Sequence, residues 1–236
     1  ALQDRLSMDT QIIEQSDNYT VINESFSNDF NAISEYKFLL APVEHTAYDG
    51  EEKYTAHTYI ENATENGIFE GYEDGSFKPD KQLTHEELTK VIISLMKDKL
   101  NDIPSDNLND DIPNRDYWTN RWDNWSQPYL NIALNSGILN TNNTAYAYKN
   151  MLVSREDMSK IVARAIEYMG SEHIDNTDEY TNKISDWNNV CGLCKPYVAQ
   201  VYAKGIITGY EDGTFRGTNY VTRAELSVIV EKLSKK

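Results

Sequence analysis

Gly205-Ile-Ile-Thr-Gly-Tyr-Glu-Asp-Gly-Thr-Phe215 rewrites a stretch met earlier, Gly67-Ile-Phe-Glu-Gly-Tyr-Glu-Asp-Gly-Ser-Phe77, at an offset of 138. At the same offset Thr84-His85-Glu86-Glu87 returns as Thr222-Arg223-Ala224-Glu225. Half of 138 is 69, and a middle copy lies there. Gly137-Ile138-Leu139 and Ser154-Arg155-Glu156-Asp157 both sit 70 residues after the first copy and 68 before the third. Tyr59, Tyr129 and Tyr197 keep the same register. Self-similarity at a fixed period marks a repeat architecture.

Each unit reads alike. A short helix (Tyr59–Asn66, Tyr129–Ser136, Tyr197–Lys204) ends at a glycine (Gly67, Gly137, Gly205), which suits the left-handed position after a helix. A loop follows, with an Asp-Gly turn and an inward Phe in copies one and three. Then Thr84, Ser154 and Thr222 stand as N-caps of a second helix, and Glu87 and Glu225 complete capping boxes. The second helices share an apolar stripe at i, i+3, i+4, i+7: Leu88, Val91, Ile92, Leu95; Met158, Ile161, Val162, Ala165; Leu226, Ile229, Val230, Leu233. One stripe cannot bury itself, but three can close on each other. The expected fold is mainly α: three tandem helix-loop-helix repeats with pseudo-threefold symmetry around a central three-helix bundle. The repeats divide as residues 41–100, 101–170 (with a degenerate loop) and 171–236. Asn101–Trp118 and Gly170–Lys183 read as polar connectors. Residues 1–40 fall outside the repeat. Phe26, Phe30, Ile33, Tyr36, Phe38, Leu39 and Leu40 suggest an N-terminal helical segment there, stopped by Pro42.

Composition narrows the function. The 236 residues carry 22 Lys plus Arg against 38 Asp plus Glu, a formal charge of −16. That argues against nucleic acid, which needs a basic face, and against a polybasic membrane anchor. No apolar run approaches the ~20 residues of a membrane helix, so no membrane insertion is expected. Sixteen Tyr and four Trp are too many for a disordered acidic chain. The opening ALQDRLSMDT has no basic n-region before an apolar core, as expected of either a mature secreted protein or an excised fragment. Cys191 and Cys194, in Cys-Gly-Leu-Cys, read as a small local disulfide or two free thiols at a loop-to-helix junction rather than a thioredoxin-like redox pair, which wants a preceding strand and a βαβ frame; a zinc site needs more ligands. Asp102, Asp106, Asp110 and Asp111 lack calcium-loop spacing, so no metal and no cofactor are expected. No nucleophile elbow, zinc-protease or phosphate-loop motif is present, and nothing reads as catalytic.

The run 205–215 followed by Val221-Thr-Arg-Ala-Glu225, with Ser185-Asp186-Trp187 upstream, resembles the S-layer homology (SLH) motif. Three tandem copies are that family's usual unit, and the resemblance covers roughly residues 41–236. It implies a three-pronged spindle and non-covalent anchoring of a secreted surface protein to a bacterial cell wall of the Gram-positive type. The implied partner is a secondary cell-wall polysaccharide, usually pyruvylated, held in grooves between repeats; other S-layer subunits are possible partners. The implied ligand-binding residues are Arg223, Arg155 and His85 at the helix starts, Asp186 and Trp187, and the loop residues Gly209, Tyr210, Asp212, Gly213, Gly71, Tyr72, Asp74 and Gly75.

Residue chemistry agrees with that expectation. A pyruvyl ketal carries a carboxylate, and an Arg fork matches a carboxylate. Arg155 and Arg223 fall in first turns, where open backbone N–H groups favour anions. Lys78 and Arg216, after the loop Phe, either line a groove or are solvated, as does the aromatic group Tyr117, Trp118, Trp122, Trp125, Tyr129 between a sugar platform and core. Copy one departs with His85 in place of Arg, so its groove is expected to bind weakly or only near or below pH ~6.5. Copy two has Asn140-Thr-Asn-Asn-Thr-Ala-Tyr-Ala-Tyr148 instead of the Asp-Gly loop. The alternatives are a protein–protein or lattice-assembly module without a sugar site and a small cell-wall glycan-acting enzyme.

Overall fold

The computed structural model describes residues 64, 67–72, 76–119, 122–140 and 150–235, and the backbone of five short strands within residues 10–55. Among the described residues seven α-helices follow the strands: α1 (His85–Leu95), α2 (Arg115–Thr119), α3 (Gln127–Asn135), α4 (Arg155–Tyr168), α5 (Asp178–Thr181), α6 (Lys195–Ala203) and α7 (Arg223–Ser234). The repeat body is mainly α, as its periodicity predicts.

The N-terminal segment differs from expectation. β1 (Thr10–Gln15), β2 (Thr20–Glu24) and β3 (Lys37–Leu40) pair antiparallel in that order, with Ile12 opposite Ile22 and Val21 opposite Leu39. β4 (Thr46–Ala47) and β5 (Tyr54–Thr55) form a second pair. Phe38, Leu39 and Leu40 are thus strand, not helix; Phe26, Phe30, Ile33 and Tyr36 lie outside the described residues. A short apolar run fits either state, and the β-branched Val21-Ile22 opposite it favours the sheet.

Local chemistry sets the repeat helices. Thr84 Oγ1, Ser154 Oγ and Thr222 Oγ1 accept from the N–H three residues on, and Glu87 and Glu225 close capping boxes. Each such cap contributes about 1 kcal/mol. Gly67, Gly137 and Gly205 hold φ of 66°, 77° and 68°. Pro128 and Pro196 occupy the first turns of α3 and α6, where a missing N–H costs nothing. The expected helix Tyr59–Asn66 lies outside the described residues apart from Thr64. The connectors are loop broken by α2 and α5.

The three stripes meet as expected. Leu88, Ile92, Met158, Ile161, Val162, Ala165, Leu226 and Val230 are buried in one core, where α1 packs against both α4 and α7. Trp118 and Trp122 are also core, whereas Trp125 is exposed, so the aromatic group is mainly packing. Just before each helix start, Leu83, Val153 and Val221 come together at zero exposure. Their backbones form a closed ring: Leu83 N donates to Val221 O, Val221 N to Val153 O and Val153 N to Leu83 O, at 2.9–3.0 Å. Three extended residues buried side by side would otherwise leave N–H groups unpaired, at about 1–3 kcal/mol each. The ring settles the pseudo-threefold arrangement at atomic level. No helix among the described residues is long and apolar enough to cross a membrane.

Candidate functional site

In repeats two and three the second helix begins with an arginine that points into the next repeat, repeat one following repeat three around the ring. Arg155, on α4 of repeat two, reaches repeat three: its Nε donates to Phe215 O (2.9 Å), its Nη2 to Thr208 O (2.8 Å) and its Nη1 to Glu225 Oε1 (3.1 Å). Arg223, on α7 of repeat three, reaches repeat one: Nε donates to Phe77 O (2.7 Å) and Nη2 to Glu70 O (2.9 Å). Both side chains are buried, and each guanidinium lies over the aromatic rings of the loop it holds. The two loops are therefore gripped at both ends by an arginine from the preceding repeat.

This changes the expected role of the first turns. Their N–H groups are not open to an anion. On α4, Arg155 N donates to Asn219 O, Glu156 N to Gly217 O and Asp157 N to the Ser154 cap. On α7, Arg223 N donates to Lys81 O, Ala224 N to Pro79 O and Glu225 N to the Thr222 cap. The sequence could not foresee this, because every backbone acceptor belongs to another repeat.

The gripped loops present their own chemistry. In repeat three, Tyr210 N donates to Thr214 O and Gly213 takes φ 78°, closing a turn over Asp212. Gly209 packs so tightly that a Cβ would lie 2.7 Å from Thr214 O. Asp212 accepts from Thr214 Oγ1 and N and from Arg216 Nη2, and these donors hold its carboxyl down at about 2. Asp186 fixes the far side of the loop by accepting from Phe215 N (2.6 Å) and Arg216 N (2.8 Å). Neighbouring Trp187 packs partly against the core, with Lys195 over its ring. In repeat one, Tyr72 N donates to Ser76 O beside Gly71, while Asp74 and Gly75 lie outside the described residues.

Exposed cations line these loops. Arg216 stacks on Tyr210 at 4.2 Å, and Lys78 and Lys81 lie over Tyr72 at 4.3 and 5.0 Å. Lys78 and Arg216 share a left-handed backbone, φ 52° at both, which aims each back over its tyrosine. Lys81 also pairs with Glu87 at 2.7 Å. It was not among the sequence candidates; its one signal was its place before the Thr84 cap.

At the remaining junction stands His85, buried, with its backbone N–H on Met151 O. Asp157 and Lys160 of repeat two are its charged neighbours. Burial is the largest effect on the imidazole and holds its pKa down at about 4. Burial thus favours the neutral imidazole at pH 6.5 and opposes the switch expected near that value. The repeat-two loop 141–149 lies outside the described residues.

Glu86 and Glu156 add a second kind of clasp, unseen in the sequence. Glu86 accepts from Asp123 N, Ser126 Oγ and Asn150 N of repeat two, and Glu156 accepts from Cys191 N of repeat three. Repeat three has Ala224 at this position.

Comparison with known proteins places these features. The S-layer homology domain matches residues 49–89 and 183–227, the copies with intact Asp-Gly loops. An exoglucanase XynX from Acetivibrio thermocellus is 29% identical over 189 residues, covering 77% of this chain and 16% of that protein. An amylopullulanase from Thermoanaerobacterium thermosulfurigenes is 25% identical over 181 residues, covering 77% of this chain and 9% of the relative. A cell surface glycoprotein 1 from A. thermocellus is 22% identical over 165 residues, covering 69% and 7%. The chain spans less than a fifth of the length of these relatives. S-layer homology domains anchor surface proteins to the cell wall and bind its polysaccharide. Two segments of this chain are thus similar to the S-layer homology domain, and the ring of three equivalent helix starts joins them to the repeat that lies between.

Proposed function

We propose that this chain is a non-catalytic wall anchor that binds a pyruvylated secondary cell-wall polysaccharide at two of its three inter-repeat grooves. The observation that carries the reading is the arginine grip on two loops, each bearing a tyrosine with exposed cations around it. One groove joins repeats three and one, with Arg223 under Gly71 and Tyr72 and with Lys78 and Lys81 on its rim; Asp74 and Gly75 are proposed as ligand-binding on the sequence alone. The other joins repeats two and three, with Arg155 under Gly209, Tyr210, Asp212 and Gly213, Asp186 and Trp187 behind the loop and Arg216 on its rim.

Rim cations meet the pyruvyl carboxylate, because Arg155 and Arg223 are buried and each commits its Nε and Nη2 to a loop carbonyl. Tyrosine faces take the apolar side of the sugar. Both departures from the pattern, His85 and the loop without Asp-Gly, fall on repeats one and two, so the third groove is silent. The repeats are bounded as residues 41–100, 101–170 and 171–236, and the setting is a Gram-positive wall. The glycan-acting names of two relatives belong to proteins of which this chain matches 16% and 9%.

Co-sedimentation with purified wall sacculi, before and after chemical stripping of the secondary polysaccharide, tests the proposal. Binding lost on stripping, and competed by a pyruvylated saccharide but not its depyruvylated form, is the expected result. Binding that survives stripping points to peptidoglycan. No binding favours a protein-assembly module.

A further inference from the structure

Cys191 and Cys194 stand at the foot of α6 and take no part in the grooves. Cys194 is the N-cap of α6 and is 1% exposed, while Cys191 is half-buried. Cys194 N and Lys195 N both donate to Cys191 O, at 2.8 and 3.0 Å, and wind Cys-Gly-Leu-Cys into a turn. The two sulfurs and a Glu156 carboxylate oxygen lie within 4.8 Å of one another. Glu156 arrives from α4 of repeat two, and its position depends on Gly217, where a Cβ would lie 2.7 Å from Oε2. A half-buried sulfur, a buried sulfur beside it and a carboxylate oxygen within 4.8 Å of both make a set with division of labour.

We infer that Cys191 and Cys194 are a reversible dithiol–disulfide pair, oxidised by low-molecular-weight disulfides, with Glu156 as proton acceptor for the buried thiol. In the first step the Cys191 thiolate attacks one sulfur of the small disulfide. That S–S bond breaks, and the departing thiolate takes up a proton equal to the one Cys191 released. In the second step Cys194 gives its proton to the Glu156 carboxylate and its sulfur attacks Cys191 Sγ. The mixed disulfide breaks, and the second small thiolate leaves with the proton held by Glu156. Two protein thiols and one small disulfide become one protein disulfide and two small thiols.

The surroundings assign the roles. The Cys194 thiol and the N–H groups of Leu193 and Cys194 hydrogen-bond to Cys191 and lower its pKa. Burial pushes Cys194 up to about 12, so it needs a neighbour to take its proton. Lys160, hydrogen-bonded to Cys194, favours a thiolate and disfavours a metal cation at the same spot. Three donors also fall short of the four a structural zinc site uses.

The test is to reduce the full chain, add oxidised glutathione and follow intact mass. The expected course is a transient single glutathione adduct followed by loss of two hydrogens from the chain. In Cys194→Ser the adduct on Cys191 persists. In Glu156→Gln, whose amide oxygen still accepts from Cys191 N, the adduct forms normally and closes about tenfold more slowly or worse. Persistent adducts on both cysteines overturn the inference. So does a folded chain that is inert, or a reduced chain that carries a stoichiometric thiophilic metal in native mass spectrometry. If Glu156→Gln fails to fold, the Cys194→Ser trap decides alone.

Discussion

Arg155 Nη1 on α4 lies 3.1 Å from Glu225 Oε1 on α7, seventy positions along the chain, and the same oxygen accepts from Tyr210 OH at 3.0 Å. The other oxygen of Glu225 closes the capping box of its own helix. One carboxylate therefore fixes the helix start, the arginine of the preceding repeat and the loop tyrosine. Glu87 divides its oxygens likewise between Thr84 and Lys81, and Asp157 between Ser154 and Lys160. At Glu225 the cap and the inter-repeat contact are formed by one group, so that helix start and that junction stand or fall together, whereas Lys81 and Lys160 belong to the same repeats as Glu87 and Asp157.

Replacing Arg223 with Ala leaves Phe77 O and Glu70 O without the donors they have in the fold. Leaving a buried acceptor unpaired costs about 1–3 kcal/mol, and here two lose a charged partner. Arg223→Ala should lower unfolding stability by about 3 kcal/mol in a urea titration. Arg155→Lys should cost about 2 kcal/mol, since one ammonium cannot reach three acceptors. A loss of wall binding without a loss of stability in either variant would contradict the gripping role.

Acid sensitivity should trace to His85. Its folded pKa, about 4, lies below the ordinary 6.5. Above pH 6.5 both states are neutral and His85 contributes no pH dependence. As pH falls from 6.5 to 4 the unfolded chain gains a proton that the folded chain refuses, and stability drops by on the order of 3 kcal/mol. Asp157, lowered from 3.8, acts in a window below that value, where acid removes its contribution. Stability curves of wild type and His85→Gln should diverge between pH 6.5 and 4 and run parallel above it.

Arg216 separates stability from binding. Its left-handed φ of 52° is a conformation glycine adopts freely, and its ion pair with Asp212 is exposed. Arg216→Gly should leave thermal stability unchanged or raise it by about 0.5 kcal/mol. Wall binding should fall several-fold in co-sedimentation, because the rim loses its cation. Unchanged binding would remove Arg216 from the groove.

The two equivalent loop glycines should differ. A Cβ at Gly209 would meet Thr214 O at 2.7 Å, whereas one at Gly71 would stand 3.4 Å from Ser76 O. Gly209→Ala should cost about 1–3 kcal/mol and Gly71→Ala well under 1 kcal/mol, read from thermal unfolding. Equal losses would mean that the repeat-three turn relaxes without strain.

Much of the repeat body was legible because its signals are local. The caps at Thr84, Ser154 and Thr222, the left-handed glycines and the apolar stripes act within a few residues of the chain. The direction of the grip was not legible. Arg223 meets Phe77 O across 146 positions, and no spacing rule links them. First-turn N–H groups looked open to anions for the same reason: their acceptors come from other repeats. His85 looked like a switch near neutral pH because burial is invisible in a single residue name. At Phe38-Leu39-Leu40 the apolar run matched a helix, while pairing with β2 made it a strand.

The triangle of backbone bonds through Leu83, Val153 and Val221 has a topological consequence. An open stack of repeats has two outer faces and must finish each with a specialised cap. A closed triangle has none, since every unit is flanked on both sides. Its spatial order is cyclic, so which repeat comes first in translation is immaterial to the contacts made. Deleting one unit would break two of the three bonds together rather than shorten a stack by one step. The junction between repeats one and two lacks an arginine grip yet stays in the ring, held by the Val153 N to Leu83 O bond and by the Glu86 clasp.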